Sequence, residues 1–464
     1  MELNGRKVVV LGLGDTGLSM ARWLARRRAH VRVADSRAAP PHAQTLAREL
    51  PQIALATGKF SDATFAGADL IAISPGIDRR EAPIASALKR GVPVVGDIEL
   101  FAQALKAFIP HPLSLIPKVV AVTGSNGKST VTAITGEMCR AAGRETVVAG
   151  NIGTPVLDAL TAVEAGKARP EVFVLELSSF QLESTASLEP DAATVLNVTE
   201  DHLDRYDGLA DYAAAKARVF AGGGAQILNR DDRWSLGMAR AGRAQLTFGL
   251  TPPRGDSEWG IAGAGAARVL ARGRHPLIPV GELPLPGLHN AANALAAHAL
   301  AHALGLPDAP LLDALRAFRG LPHRMQKVAQ IAGVAFYDDS KGTNVGATVA
   351  ALSGMDRPVV LIAGGDGKGQ DFSPLAPAVK ARARAVVLIG RDAQLIERAI
   401  AGSGVRIERA GDLQEAVARA SGAAQPGDAV MLSPACASYD MFRDYVQRAE
   451  VFVAAVRQLE SARS

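Results

Sequence analysis

Short runs of valine, isoleucine and leucine alternate with alanine-, leucine- and arginine-rich stretches along the whole chain, and this alternation constrains the fold more than any other feature. Strand, helix and strand in succession pack as a parallel unit, so the pattern predicts an α/β protein with helices on both faces of parallel sheets. Three groups of such units stand out. The first opens at Lys7-Val8-Val9-Val10-Leu11, with further strands expected at Val31–Ala34, Leu70–Ser74 and Val92–Val95. The second begins at Val119–Val122, after a linker punctuated by Pro110, Pro112 and Pro117, and continues at Val172–Leu177 and Ala193–Val198. The third follows Gly320-Leu321-Pro322, with strands expected near Val334–Tyr337, Val359–Ala363, Val386–Ile389 and Ala429–Leu432. At roughly 100–200 residues per domain, the 464 residues divide into three domains, expected at 1–112, 113–320 and 321–464.

Composition narrows the class. A chain that is 48% hydrophobic and 21% charged is globular, not disordered. Its two cysteines, Cys139 and Cys436, can form neither a disulfide framework nor a cysteine zinc site, and they suit a reducing cytosol. The net charge of +5 comes from scattered arginines, and the one dense run, Arg26-Arg27-Arg28, closes an expected helix, where cations suit the dipole. A solvated surface is favoured over a nucleic-acid patch. The longest apolar stretch, Ala291–Leu306, is interrupted by His298 and His302, and the first residues lack a signal-peptide pattern. The expectation is a soluble, cytoplasmic protein that neither inserts in a membrane nor binds nucleic acid.

Two glycine-rich loops carry the chemistry. Gly12-Leu13-Gly14-Asp15-Thr16-Gly17 follows a strand and precedes a helix, and Asp35 ends the next strand. That spacing fits a dinucleotide fingerprint, with phosphate at the helix N-terminus and the acid on a ribose hydroxyl. It equally fits a tight turn that needs small residues, or a site for another nucleotide diphosphate.

The second loop, Thr123-Gly124-Ser125-Asn126-Gly127-Lys128-Ser129-Thr130, lies between an apolar strand and a helix expected from Val131 to about Ala142. Successive backbone N–H groups there form an anion nest, Lys128 can neutralise β/γ-phosphates, and the Ser129 hydroxyl can ligate Mg²⁺. Val122 replaces the first glycine of the commoner phosphate-loop pattern, a variation found in a subset of ATP-using ligases.

Other residues join that site. Glu176 lies in an otherwise apolar strand, where a carboxylate is costly unless paired or bound to a cation, so Mg²⁺ coordination is expected. Asn197-Val198-Thr199-Glu200-Asp201-His202 closes the next strand, at the edge where parallel sheets bind ligands. Taken singly, His202 reads as a loop histidine, and spacing alone makes Lys216 a surface helix lysine.

The constellation resembles the Mur ligase family of peptidoglycan synthesis, over the whole chain. The shared motifs include T-G-S-N-G-K-S-T at 123–130, G-N-I-G at 150–153, L-E-L-S-S-F-Q-L-E at 175–183 and N-V-T-E-D-H-L-D-R at 197–205. Others are A-K at 215–216, H-N-A-A-N at 289–293, G-L-P-H-R at 320–324, D-S-K-G-T-N at 339–344, G-G-D-G-K at 364–368 and L-S-P-A-C-A-S at 432–438. The resemblance implies a Rossmann-like N-terminal domain, a central P-loop ATPase-type domain on a parallel or mixed sheet, and a C-terminal Rossmann-like domain. Among family members, the motifs look most like those adding D-glutamate to UDP-N-acetylmuramoyl-L-alanine at the expense of ATP.

By the same resemblance, the first domain holds a UDP-sugar and not NAD, through Asp15, Thr16, Asp35, Ser36, Arg37, Ser74, Pro75 and Gly76, while Asn151 touches the sugar substrate. Gly124–Thr130, Asn290, Asn293, Arg324 and Asp339 are implied to bind ATP, with Lys128, His202, Lys216 and Lys341 catalytic. Two Mg²⁺ are implied, one on Ser129 and Glu176, the other on Glu176, His202 and carbamylated Lys216. Thr343, Lys368, Ser438 and Tyr445 are implied to receive the amino acid. Tyr445 departs from the phenylalanine more familiar there. The family also implies a monomer.

Overall fold

The computed structural model describes residues 2–107, 117–167, 169–285 and 287–463. Pro110, Pro112 and the boundary expected at 112 lie outside the described residues. Three sheets organise the rest. The first has five parallel strands in the order Ala54–Thr57, His30–Asp35, Lys7–Leu11, Leu70–Ile73 and Val94–Val95. Strand order reverses beside Lys7–Leu11, the kind of crevice where open α/β sheets take ligands. Helix Asp15–Arg26 starts there, and Gly17 is required: a Cβ at this position would lie 1.8 Å from the Gly12 carbonyl oxygen. The first of the three clustered arginines, Arg26, ends that helix as expected.

The second sheet runs through nine strands in the order His275–Pro279, Val269–Arg272, Glu258–Ala262, Gln245–Phe248, Ala225–Asn229, Ala192–Val195, Lys118–Thr123, Val172–Glu176 and Thr146–Gly150. Its parallel heart pairs Lys118–Thr123 with both Val172–Glu176 and Ala192–Val195. Valines and alanines buried on both faces fit strands covered by helices on each side. The third sheet has six strands, Gln326–Ile331, Val334–Asp338, Ala429–Leu432, Val359–Gly364, Ala383–Ile389 and Arg406–Arg409, antiparallel only at its first pair.

Several boundaries differ from the sequence reading. The strand expected at Ala193–Val198 stops at Val195, because the Asn197 side chain turns to bond the phosphate loop. The strand expected at Val92–Val95 keeps only Val94 and Val95. The helix expected from Val131 starts at Lys128, directly after Gly127 takes φ 85°. The five strands between Ala225 and Pro279 had no counterpart in the reading. Sequences such as Gln245-Leu246-Thr247-Phe248 are short and half-exposed, and neighbouring strands specify them more than propensity does.

The first sheet's unit docks on the second through helix Asp97–Ala107. Glu99 accepts hydrogen bonds from the Ala186 N–H at 2.6 Å and the Ser187 N–H at 2.8 Å, and the Gln181 amide donates to Asp97 at 3.1 Å. Asp97 is buried and its second oxygen has no hydrogen-bond partner. Burial raises its carboxyl from 3.8 to about 6, against the opposing Gln181 hydrogen bond. A raised carboxyl holds its proton more tightly in the folded state, so this contribution is full below pH ~4, falls as pH rises through about 6 and is flat above. Asp97→Asn should therefore match wild type near pH 4 and exceed it at pH 7 by on the order of 2–3 kcal/mol, measured by paired unfolding at both pH values.

Candidate active site

Because Lys118–Thr123 lies between Val172–Glu176 and Ala192–Val195 in parallel register, the loops after all three strands emerge side by side. Those loops carry Gly124–Thr130, Glu176 and Asn197–His202. The phosphate loop is stapled to its neighbour: the Ser125 N–H donates to the Asn197 carbonyl at 2.9 Å, and the Asn126 N–H to Asn197 Oδ1 at 2.8 Å. The Thr199 N–H donates to Ser125 Oγ at 3.0 Å. Asn197 and Thr199 thus hold the loop's shape, a role the sequence reading did not assign. Polar residues directly after a buried strand were the available signal.

Lys128 folds back over the loop, donating to the Gly124 and Ser125 carbonyls at 2.9 Å each. Burial lowers its pKa, countered by the charges of Glu176 and Asp201. Glu176 is 2% exposed. One oxygen accepts from Asn151 Nδ2 at 2.8 Å, and the other is buried with no protein partner. Gly150 makes this approach possible, since a Cβ there would sit 2.3 Å from the Glu176 carbonyl oxygen.

Lys216 is not the surface lysine that spacing alone suggests. Helix Leu209–Ala217 buries it to 1% exposure, where its amine donates to the Gly124 carbonyl at 2.9 Å and lies 4.3 Å above the Tyr212 ring. Burial, then repulsion from Lys128, pulls its pKa well below that of a free lysine. The His202 ring lies edge-on to Phe180, 4.7 Å between centroids. Burial lowers its pKa to about 4 despite the nearby Asp201 charge, so the imidazole is neutral at physiological pH.

The third unit reaches into the same space. Arg324 donates to Ser129 Oγ at 2.6 Å. Lys341 lies 3.8 Å over the Tyr445 ring, and burial lowers its pKa to about 8. Asp339 accepts from Ser433 Oγ at 2.7 Å, yet burial still raises its carboxyl to about 7. Asp201, which the sequence places in the strand-end cluster without a role of its own, ties the units together through Lys368 at 2.6 Å and Asn344 at 3.1 Å. Burial would raise its carboxyl, but the Lys368 charge and hydrogen bond hold it near 2.

Two cavities meet at the phosphate loop. One, of about 320 Å³, has apolar walls that include Leu196, Phe248, Leu285 and Ala350, with Thr130, Asn290, Asn293 and Asp339 as polar groups. The other, of about 400 Å³, brings together Lys128, Asn151, Glu176, His202 and Lys216 with Thr343, Lys368, Ser438 and Tyr445. Asn126, Gly127, Arg324 and Lys341 line both.

Residues named in the first sheet divide into two sets. Pro75 and Gly76 reach the larger cavity. Asp15, Thr16, Asp35, Ser36, Arg37 and Ser74 do not line it and sit around the Gly12–Gly17 loop. There Asp35 is buried and accepts the Leu13 N–H at 2.7 Å and the Arg37 guanidinium at 2.6 Å, while exposed Asp15 pairs with His42 at 2.7 Å. Among the described residues, no cluster of three or more His, Cys, Asp or Glu side chains is placed to hold a metal. The candidate cation environment is the unpartnered Glu176 oxygen, with Lys216 and His202 on the same cavity wall.

Comparisons with known proteins identify the family. The MurD-like N-terminal domain of Mur ligases matches residues 6–96, the Mur ligase middle domain 122–301, and the Mur ligase glutamate ligase domain 323–436. A UDP-N-acetylmuramoylalanine–D-glutamate ligase of Thiobacillus denitrificans is 59% identical over 472 residues, covering 100% of this chain and 98% of that protein. The enzyme of the same description from Methylobacillus flagellatus is 57% identical, covering 99% and 98%. Among solved structures, the UDP-N-acetylmuramate-alanine ligase of Thermotoga maritima superposes with a TM-score of 0.61 at 20% identity, covering 98% of this chain and 99% of its own, which is a likeness of fold. With the domain matches in the same order as the three sheets and full-length identity to such relatives, the chain belongs to the Mur ligase family.

Proposed function

We propose that the chain is an ATP-dependent ligase that joins D-glutamate to UDP-N-acetylmuramoyl-L-alanine in cytoplasmic peptidoglycan precursor synthesis, and that it acts as a monomer. The observation that carries this reading is the meeting of two cavities at one phosphate loop, with Arg324 and Lys341 on both. The smaller cavity suits ATP, its apolar walls for adenine and Asn290, Asn293 and Asp339 for polar edges. The larger suits the acceptor carboxylate and the incoming amino acid. The uridine end of the acceptor belongs at Asp15, Thr16, Asp35, Ser36, Arg37 and Ser74, with Pro75, Gly76 and Asn151 along the path to Glu176. On this reading the units 1–112, 113–320 and 321–464 divide acceptor, ATP and amino-acid binding.

The reaction is amide formation through an acyl phosphate. The acceptor carboxylate attacks the γ-phosphate and ADP leaves; the glutamate amine then attacks the acyl carbon and phosphate leaves. Both reacting groups belong to substrates, so the protein's task is positioning and charge neutralisation. Lys128, Lys341 and Arg324 supply fixed positive charge where a carboxylate meets a triphosphate. Two Mg²⁺ would supply further charge neutralisation when bound, one held by Ser129 and Glu176, the other by Glu176, His202 and carbamylated Lys216. Mg²⁺ prefers oxygen ligands, and carbamylation converts an amine into an anionic oxygen donor. The low pKa of Lys216 favours this, since only a neutral amine adds CO₂.

Phosphate release with ATP, Mg²⁺ and UDP-N-acetylmuramoyl-L-alanine, run against a panel of D- and L-amino acids, tests the assignment. Turnover specific to D-glutamate is expected. Preference for L-glutamate, lysine or diaminopimelate would make the chain a sister ligase, and NAD-linked oxidation without phosphate release would overturn the ligase reading.

Lys216→Ala should lose at least about 100-fold in kcat, roughly 2.7 kcal/mol of barrier, and acetate or formate should restore part of it. A variant as active as wild type would return Lys216 to a packing role. For Lys368, the expected partner is one carboxylate of the amino acid, exchanged for the Asp201 contact in the free protein. Lys368→Ala should raise KM for D-glutamate about tenfold and KM for ATP far less, in steady-state kinetics varying each substrate.

A further inference from the structure

We propose that Arg205 is a positioning residue that locks the first unit's wall of the acceptor cavity to the loop carrying His202. It ends the N-V-T-E-D-H-L-D-R motif, and none of the reaction roles above uses it.

Arg205 is 9% exposed. Its Nη1 donates to the Pro75 carbonyl at 3.2 Å and its Nη2 to Glu183 Oε2 at 2.9 Å, while Nε lies 4.0 Å from Asp78. The guanidinium carbon sits 4.3 Å above the Phe180 ring, and that ring meets His202 edge-on. A cation this buried is costly unless paired, and Glu183 and Asp78 supply the pairing. One side chain therefore touches the loop after the Leu70–Ile73 strand, the short helix Ser179–Glu183 that follows Glu176, and the ring that backs His202.

Pro75, Gly76, Phe180 and His202 all line the larger cavity. Holding the Pro75 carbonyl sets how far the first unit stands from Glu176 and His202, and so where an acceptor spanning both units places its carboxylate. The smaller cavity has no lining residue from the first unit. The Arg205 clamp should thus govern acceptor binding and leave ATP binding alone. Lysine is a poor substitute, because only the planar fork of arginine meets Pro75, Glu183 and Phe180 together.

This inference rests on the acceptor assignment above. Its test is steady-state kinetics on full-length Arg205→Met, Arg205→Lys and Glu183→Gln, varying UDP-N-acetylmuramoyl-L-alanine and ATP separately, with circular dichroism as the check on folding. Arg205→Met should raise KM for the acceptor about tenfold with KM for ATP within about twofold, and Arg205→Lys should recover part of the loss. Glu183→Gln, which loosens the clamp and spares the arginine, should raise acceptor KM about threefold and decides the matter if Arg205→Met does not fold. An acceptor KM within about twofold of wild type, or acceptor and ATP KM values rising together, would overturn the proposal. A wild-type enzyme that ignores this acceptor would sink the ligase reading instead, and Arg205 would then be judged by the same ratios with the acceptor that is used.

Discussion

The parallel pairing of Lys118–Thr123 with Val172–Glu176 on one side and Ala192–Val195 on the other is the constraint on which the rest depends. Each pairing is a row of backbone hydrogen bonds between strands buried on both faces, so a slip in register would misplace every packed side chain against the helices that cover them. Parallel direction puts the three strand ends at one edge. The phosphate loop, Glu176 and the Asn197–His202 turn are neighbours for that reason, although the bonded pair Asn126 and Asn197 lie 71 positions apart in the chain.

Charge is the second organising theme. Lys128, Lys216, Lys341, Lys368 and Arg324 crowd around the two cavities, against the carboxylates Glu176, Asp201 and Asp339. Burial shifts several of them, and their neighbours decide the outcome. Asp201, facing Lys368, stays ionised, whereas buried Asp339 titrates near neutrality. Lys216, buried and repelled by the Lys128 charge, shifts well toward the neutral amine. More cationic than anionic side chains face the two cavities, a balance that suits anions.

The third unit completes this site by contacts that cross between sheets. Arg324 to Ser129, Lys368 to Asp201 and Asn344 to Asn126 all bridge segments distant in sequence. Each is a polar contact at a strand end or loop, not an apolar seam. Interfaces built this way suit units that move relative to one another when substrates enter and leave.

By itself the sequence determined the α/β class, the phosphate loop with Lys128, and the unusual carboxylate of Glu176, because each is written locally: apolar runs, glycine spacing, and one charge in an apolar strand. Helix and strand ends were less legible: a side-chain bond from Asn197 to the phosphate loop ends the strand at Val195, and the left-handed turn at Gly127 starts the helix at Lys128. The roles of Asn197 and Asp201 needed the tertiary structure, because their partners lie on other strands or another sheet. Lys216 is the sharpest case. An A-A-A-K stretch on a helix is indistinguishable from a solvated face until packing against Gly124 and Tyr212 removes water from the amine. Only the tertiary structure decides that, because desolvation belongs to the space around a residue and not to its neighbours in the chain.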